Sequence, residues 1–240
     1  MKFYHPEQCY IELPPALGSS NRLRGLHLLE HSFKLTAFKT QLLDLNTTQS
    51  NLNDSSTDKS RCKVLVIDVI SVWKRHVQRH PERYYYLNRP IVLTLDGIIK
   101  FLAELNESPR EALKRCQNFN STSDTDSDDN DDFNYQLSGI VIDNISYLMQ
   151  RSKSVGNVNN TQKSLMLLLR CLNMVSRNFG CWYITISYGL EYYSGIEMSF
   201  RTVGSVGGAN SYPTLVPMNF LNEMDAVILR ETEYGARRLK

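Results

Sequence analysis

The 240-residue chain holds 42% hydrophobic and 22% charged residues at a formal net charge of +2, which excludes wholesale disorder and suits one domain or two small ones. A chain this long can bury about 70% of its unfolded surface without help from a metal or a disulfide. Its longest apolar run, near residues 165–175, is broken by Arg170 and is too short to span a bilayer. Residues 1–6 lack the apolar core of a secretory leader.

The five cysteines are odd in number and include no Cys-x-x-Cys. That pattern predicts a reducing compartment, cytosol or nucleus, and offers no zinc framework. His76 and His80 are four apart and share a helix face, but no Cys or acidic pair stands at ligand spacing. A solvated basic helix is the better reading, and no metal or other cofactor is expected.

Charge is uneven. Residues 118–135 hold six aspartates and no cation, and residues 46–60 carry a net of −1, leaving about +9 on the remainder. A body that basic attracts polyanions; equally, the acidic tract can serve to keep the whole soluble. Both segments consist mostly of Ser, Thr, Asn and Asp. Neither can offset its own ordering entropy, so both are expected as mobile insertions.

In chain order, residues 24–29 read as a short strand and 36–45 as a helix. The run at 63–69 is continuously apolar, as in a strand buried on both faces. Asp96 is placed to cap a helix through Leu105. Ser108-Pro109-Arg110-Glu111 forms a capping-box pattern opening a second helix to about Gln117. Residues 139–143 form another buried-strand run. Apolar positions 165, 168, 169, 172, 175 and 179 give a helix over 161–179 that Gly180 stops. Residues 182–187 read as a third apolar strand, and 226–230 with 237–239 as a terminal hairpin. Apolar strands alternating with helices predict an α/β fold with a mostly parallel central sheet flanked by helices.

Ligands of such sheets bind beyond the carboxyl ends of the strands. After the first strand, residues 33–40 align with a phosphate loop, Gly-x-x-x-x-Gly-Lys-Thr. Lys39 and Thr40 match, but Phe33 and Phe38 replace the two glycines. Glycine there permits backbone conformations costly to other residues and lets N–H groups approach phosphate oxygens. Two Phe rings would fill that space, predicting a closed nucleotide site. Asp68 and Asp143 each end an apolar strand, where a magnesium-holding carboxylate would stand; an Asp there is as often a simple cap. No Gly-x-Ser-x-Gly and no dinucleotide fingerprint occurs.

The order of elements resembles the RecA-like recombinase core from residue 23 to 240, with residues 1–22 as an N-terminal extension and insertions at 46–60 and 118–135. Lys63-Val64-Leu65-Val66-Ile67-Asp68 is similar to that family's strand ending Ile-Asp-Thr-Glu-Gly, and residues 139–144 to its strand ending in the magnesium-binding Asp. More narrowly, residues 139–148, Ser108-Pro109 with 112–117, and Gly180-Cys181-Trp182 with Tyr193 and 195–197 resemble the platinum-sensitivity subunits of the budding-yeast Shu complex. That resemblance implies a recombinase paralog with no working ATPase. It implies a heterodimer with a second RecA-like paralog, association with two further Shu subunits, DNA binding, and help to the main recombinase and its other paralogs in nuclear homologous-recombination repair, away from any membrane. The family's catalytic Glu falls on Ile70, which cannot act as a base. DNA contacts in such proteins come from two loops, here 150–162 with Arg151 and Lys153, and 188–212 with the single cation Arg201. Residues 73–79 form a second basic patch, read as a solvated helix face, and Tyr84-Tyr85-Tyr86 as base-stacking or packing. Two rival readings stand at this point: an active ATPase using Lys39, Thr40, Asp68 and Asp143, and a scaffold that never touches DNA.

Overall fold

In a computed structural model, the described residues are 9–18, 22–30, 32, 34–48, 63–89, 94–116, 137–155, 158–188, 214–230 and 236–240, with backbone only at 48, 151–155, 158 and 159. The strands are β1 (Gly25–Glu30), β2 (Lys63–Asp68), β3 (Tyr84–Leu87), β4 (Leu137–Asp143), β5 (Trp182–Tyr188), β6 (Ala226–Arg230) and β7 (Ala236–Arg238). The helices are α1 (Ala37–Thr48), α2 (Lys74–Arg79), α3 (Leu95–Glu107), α4 (Pro109–Lys114), α5 (Ile145–Val155), α6 (Val158–Phe179) and α7 (Met218–Asn222). One seven-stranded sheet runs β3-β2-β4-β5-β1-β6-β7, parallel throughout except for the antiparallel β6–β7 pair. The α/β class, the mostly parallel sheet and the C-terminal hairpin are as the sequence predicts.

Strands β1, β4, β5 and β6 are buried at every position. That is why they read as continuous apolar runs rather than alternating ones. The two-residue period sorts their side chains. Leu65, Ile67, Ile140 and Ile142 face a core shared with α3, α4, α5, α6 and α7. Leu26, Leu28, Val64, Val66 and Val141 face a second core built with α1, α2 and the N-terminal residues Ile11, Leu17 and Leu23. By the same alternation Asp68 follows Val66, and Asp143 follows Val141, onto the α1 side.

Local chemistry fixes several boundaries. Thr94, rather than Asp96, caps α3 by accepting from the Gly97 N–H at 3.1 Å. Pro109 opens α4 as expected, but the Ser108 side chain makes no capping bond. Gly180 ends α6 at a φ of 67°, a conformation open to glycine at little cost. Helix α1 runs to Thr48, three residues beyond its predicted end. There Asn46 latches the N-terminal segment: its Oδ1 accepts from the Glu12 N–H at 2.6 Å, and its Nδ2 donates to the Glu12 carbonyl at 3.0 Å.

Helices α5 and α7 and strand β3 were not foreseen. Helix α5 occupies residues assigned above to a DNA-binding loop. Tyr84-Tyr85-Tyr86 forms most of strand β3, with Tyr84 and Tyr86 buried. The basic stretch after Trp73 is α2, whose Lys74, Arg75 and Arg79 are exposed as predicted, whereas Trp73 itself is buried.

Gly139 on β4 pairs with Trp182 on β5, and a Cβ at Gly139 would overlap the buried indole ring. Gly139→Ala is therefore expected to destabilise the protein by about 1–3 kcal/mol. Urea denaturation should show a lower midpoint at unchanged slope.

Candidate functional site: a closed strand-end pocket

The candidate site lies where β1, β2 and β4 end and α1 begins. Thr36 stands at the start of α1. Its Oγ1 accepts from the Lys39 N–H at 3.3 Å and donates to Glu30 Oε1 at 3.0 Å, tying the helix to the end of β1. The other Glu30 oxygen accepts from Arg230 Nε in a buried ion pair. This pair lies one residue beyond the Leu29–Leu229 register of β1 and β6.

The cap sends Lys39 inward. Its ammonium lies 2.8 Å from Asp143 Oδ2, and both side chains are fully buried. Trp73 Nε1 donates to the same oxygen at 2.9 Å. A phosphate-loop lysine must reach the β- and γ-phosphates, and a strand-end aspartate must face magnesium. Here the two groups neutralise each other beneath an indole ring. Such a pairing is held only if the charges stay matched, because an isolated buried charge is strongly unfavourable.

Thr40 Oγ1 donates to the Ala37 carbonyl of its own helix at 2.9 Å. It thus satisfies itself locally rather than pointing at a ligand. The void among Leu28, Lys39, Leu42, Leu43, Trp73, Val141, Ile184 and Ile186 is about 10 Å³. That is room for one water at most, against about 300 Å³ or more for a small-molecule pocket.

Asp68 has a structural role. Its carboxylate accepts from the Val72 N–H at 3.1 Å, the Trp73 N–H at 2.8 Å and the Tyr86 hydroxyl at 2.8 Å. Burial pushes its pKa upward, and these bonds act against that shift. The loop they hold places Ser71 at a φ of 63° and delivers the Trp73 ring to Asp143. Ile70 is half-buried and packs against the α6-side core. Asn144 caps α5 through its Oδ1, which accepts from the Ser146 N–H at 2.7 Å.

Phe38 is half-buried and packs on the α1-side core, while Phe33 lies outside the described residues. The ring that meets the Lys39–Asp143 pair is that of Trp73, which the sequence reading placed in a basic patch. Arg151 and Lys153 lie on α5, so the stretch 150–155 is helical rather than a loop. Arg201 lies outside the described residues. Among the described residues no cluster of three His, Cys, Asp or Glu could hold a metal, and no helix is long and apolar enough to cross a membrane.

Sequence reasoning also missed His27. It is fully buried on β1 between Thr185 Oγ1, 2.7 Å from Nδ1, and Ser187 Oγ, 2.8 Å from Nε2. Burial lowers its pKa to about 3, so the ring is neutral and structural. A charged or polar residue inside an otherwise apolar strand was the available signal for His27, as for Glu30 and Arg230.

The mostly parallel sheet, with a buried lysine–aspartate pair at its strand ends, defines an α/β domain with helices on both faces. Residues 1–233 match the family described as Shu complex component Psy3, a description that carries DNA binding. The chain is 32% identical over 235 residues to the Platinum sensitivity protein 3 of Saccharomyces cerevisiae, covering 94% of this chain and 86% of that protein. The chain belongs to the Psy3 family of Shu complex components.

Removing Lys39 leaves Asp143 buried without its counter-charge. Lys39→Ala is expected to cost about 3–5 kcal/mol of stability. Chemical denaturation monitored through Trp73 and Trp182 fluorescence measures the loss.

Proposed function

We propose that this chain is a non-catalytic recombinase paralog that works as a scaffold within a Shu-type complex. The observation that carries this reading is the buried contact between Lys39 Nζ and Asp143 Oδ2 at 2.8 Å. It supports a degenerate nucleotide site formed by Phe33, Phe38, Lys39, Thr40, Asp68, Ile70 and Asp143. A hydrolytic site needs a free lysine for the phosphates, a free carboxylate for magnesium and a base. Lys39 and Asp143 engage each other, and isoleucine stands at the position of the base. The core at 23–240 then supplies surfaces, and the polar segments 46–60 and 118–135 are insertions upon it, except that residues 46–48 complete α1.

The partners of this reading are a second RecA-like paralog in a heterodimer, two further Shu subunits, the recombinase with its other paralogs, and DNA, in the nucleus. Family membership and the excess of cations outside the acidic tract support the DNA role. Arg151, Lys153 and Arg201 are the proposed phosphate contacts.

Titration calorimetry of the purified chain with magnesium-ATP is expected to show no binding at millimolar nucleotide. Micromolar, magnesium-dependent binding would overturn the closed-site reading. For DNA, replacing Arg151, Lys153 and Arg201 together by alanine should weaken binding to a single-stranded oligonucleotide. The salt slope should fall by about 2. Anisotropy that matches the unaltered protein at every salt concentration would remove these three residues from the interface.

A further inference from the structure

Helix α6 has two seams. The inner one, with Leu165, Leu168, Leu169, Leu172 and Val175, is buried against the sheet and α3. The outer one reads Lys163, Leu167, Arg170, Met174, Arg177. Its spacing of four, three, four and three is the repeat by which one helix packs along another. Leu167 is 47% exposed and Met174 39% exposed. Met218 on α7 is a third exposed apolar side chain. Leu167 and Met174 share one face of α6, and exposed apolar residues on a shared face mark a surface that another molecule covers. Beside this seam a groove of about 460 Å³, bordered by Met166, Leu167, Arg170 and Asn219, opens between α6 and α7.

The charges on the outer seam of α6 have one sign. Helix α6 contains no Asp or Glu. Lys163, Arg170 and Arg177 form no ion pair among the described residues and stand exposed between the apolar positions. A second copy of the same seam would set cation against cation, which disfavours self-pairing. We propose that the outer face of α6, with the groove beside α7, is a docking surface for an acidic amphipathic helix of a partner protein. Leucine-like side chains of that helix would cover Leu167 and Met174. Its carboxylates would meet Lys163, Arg170 and Arg177. This surface is separate from the strand-end pocket and does not depend on that pocket being closed.

The experiment uses the full chain and two fluorescein-labelled helical peptides of about three heptads. Both carry leucine along one seam. One has glutamate and the other lysine at the positions flanking it. The glutamate peptide is expected to bind about tenfold or more tightly than the lysine peptide in fluorescence anisotropy, with the difference shrinking in high salt. Arg170→Glu combined with Arg177→Glu should reverse the preference, which a misfolded variant could not do. Leu167→Ser with Met174→Ser should weaken both peptides. Equal affinity for the two peptides, or a preference that the double charge reversal leaves unchanged, overturns the proposal. So does sedimentation equilibrium showing a dimer of this chain lost in Leu167→Ser. Binding of single-stranded DNA that is abolished by the charge reversal, with no glutamate-peptide binding, would likewise assign the face to nucleic acid instead.

Discussion

The strand-end region is organised by one buried ion pair. Lys39 comes from the first turn of α1, Asp143 from the end of β4, and they meet at 2.8 Å with Trp73 donating to the same oxygen. The three residues lie on three different elements. Each is oriented by a separate local device: the Thr36 cap for Lys39, the β-strand alternation for Asp143, and the two backbone bonds to Asp68 for Trp73. Displacing any one leaves a charge or an indole N–H unmatched in a dry environment, so the three constrain one another.

The same economy of charge recurs one strand over. Glu30 and Arg230 end neighbouring parallel strands and pair beneath the surface, with Thr36 bridging Glu30 to α1. In an open α/β sheet these positions normally face a ligand. Here the carboxylates at the ends of β1, β2 and β4 are each engaged by the protein: Glu30 by Arg230 and Thr36, Asp68 by the loop and Tyr86, Asp143 by Lys39 and Trp73. The row of ionisable groups thus joins helices to the sheet at the edge where the chain leaves each strand.

Much of this was legible in the sequence, because it rests on local pattern. Continuous apolar runs announced the buried strands, and the 3.6-residue stripe announced α6. Asp68 and Asp143 could be placed at strand ends, and Lys39 at the start of a helix, by position alone. Trp73 could not. It is followed by Lys74 and Arg75, so its neighbours argue for a solvated helix, and its partner Asp143 is 70 residues away. Strand β3 is four residues long, with Tyr at three of them, too short for a period to register. Helix α5 begins with clear apolar residues, Ile145, Leu148 and Met149, but continues through Gln150, Arg151 and Ser152, which read as loop by composition. Its start depends on Asn144 as a cap, a signal that also ends strands.

The sequence reading attributed closure of this region to the phenylalanines aligned with the phosphate-loop glycines. Ring bulk in the loop accounts for Phe38, which packs on the α1-side core. The decisive contact comes instead from the opposite direction, from the loop after β2. In that loop Ile70 turns to the α6-side core, and Trp73 three residues later covers the aspartate. A large aromatic donor over the carboxylate excludes water. Exclusion of water in turn strengthens the Lys39–Asp143 attraction. The indole contact and the Lys39–Asp143 pair therefore reinforce each other rather than standing as two independent features.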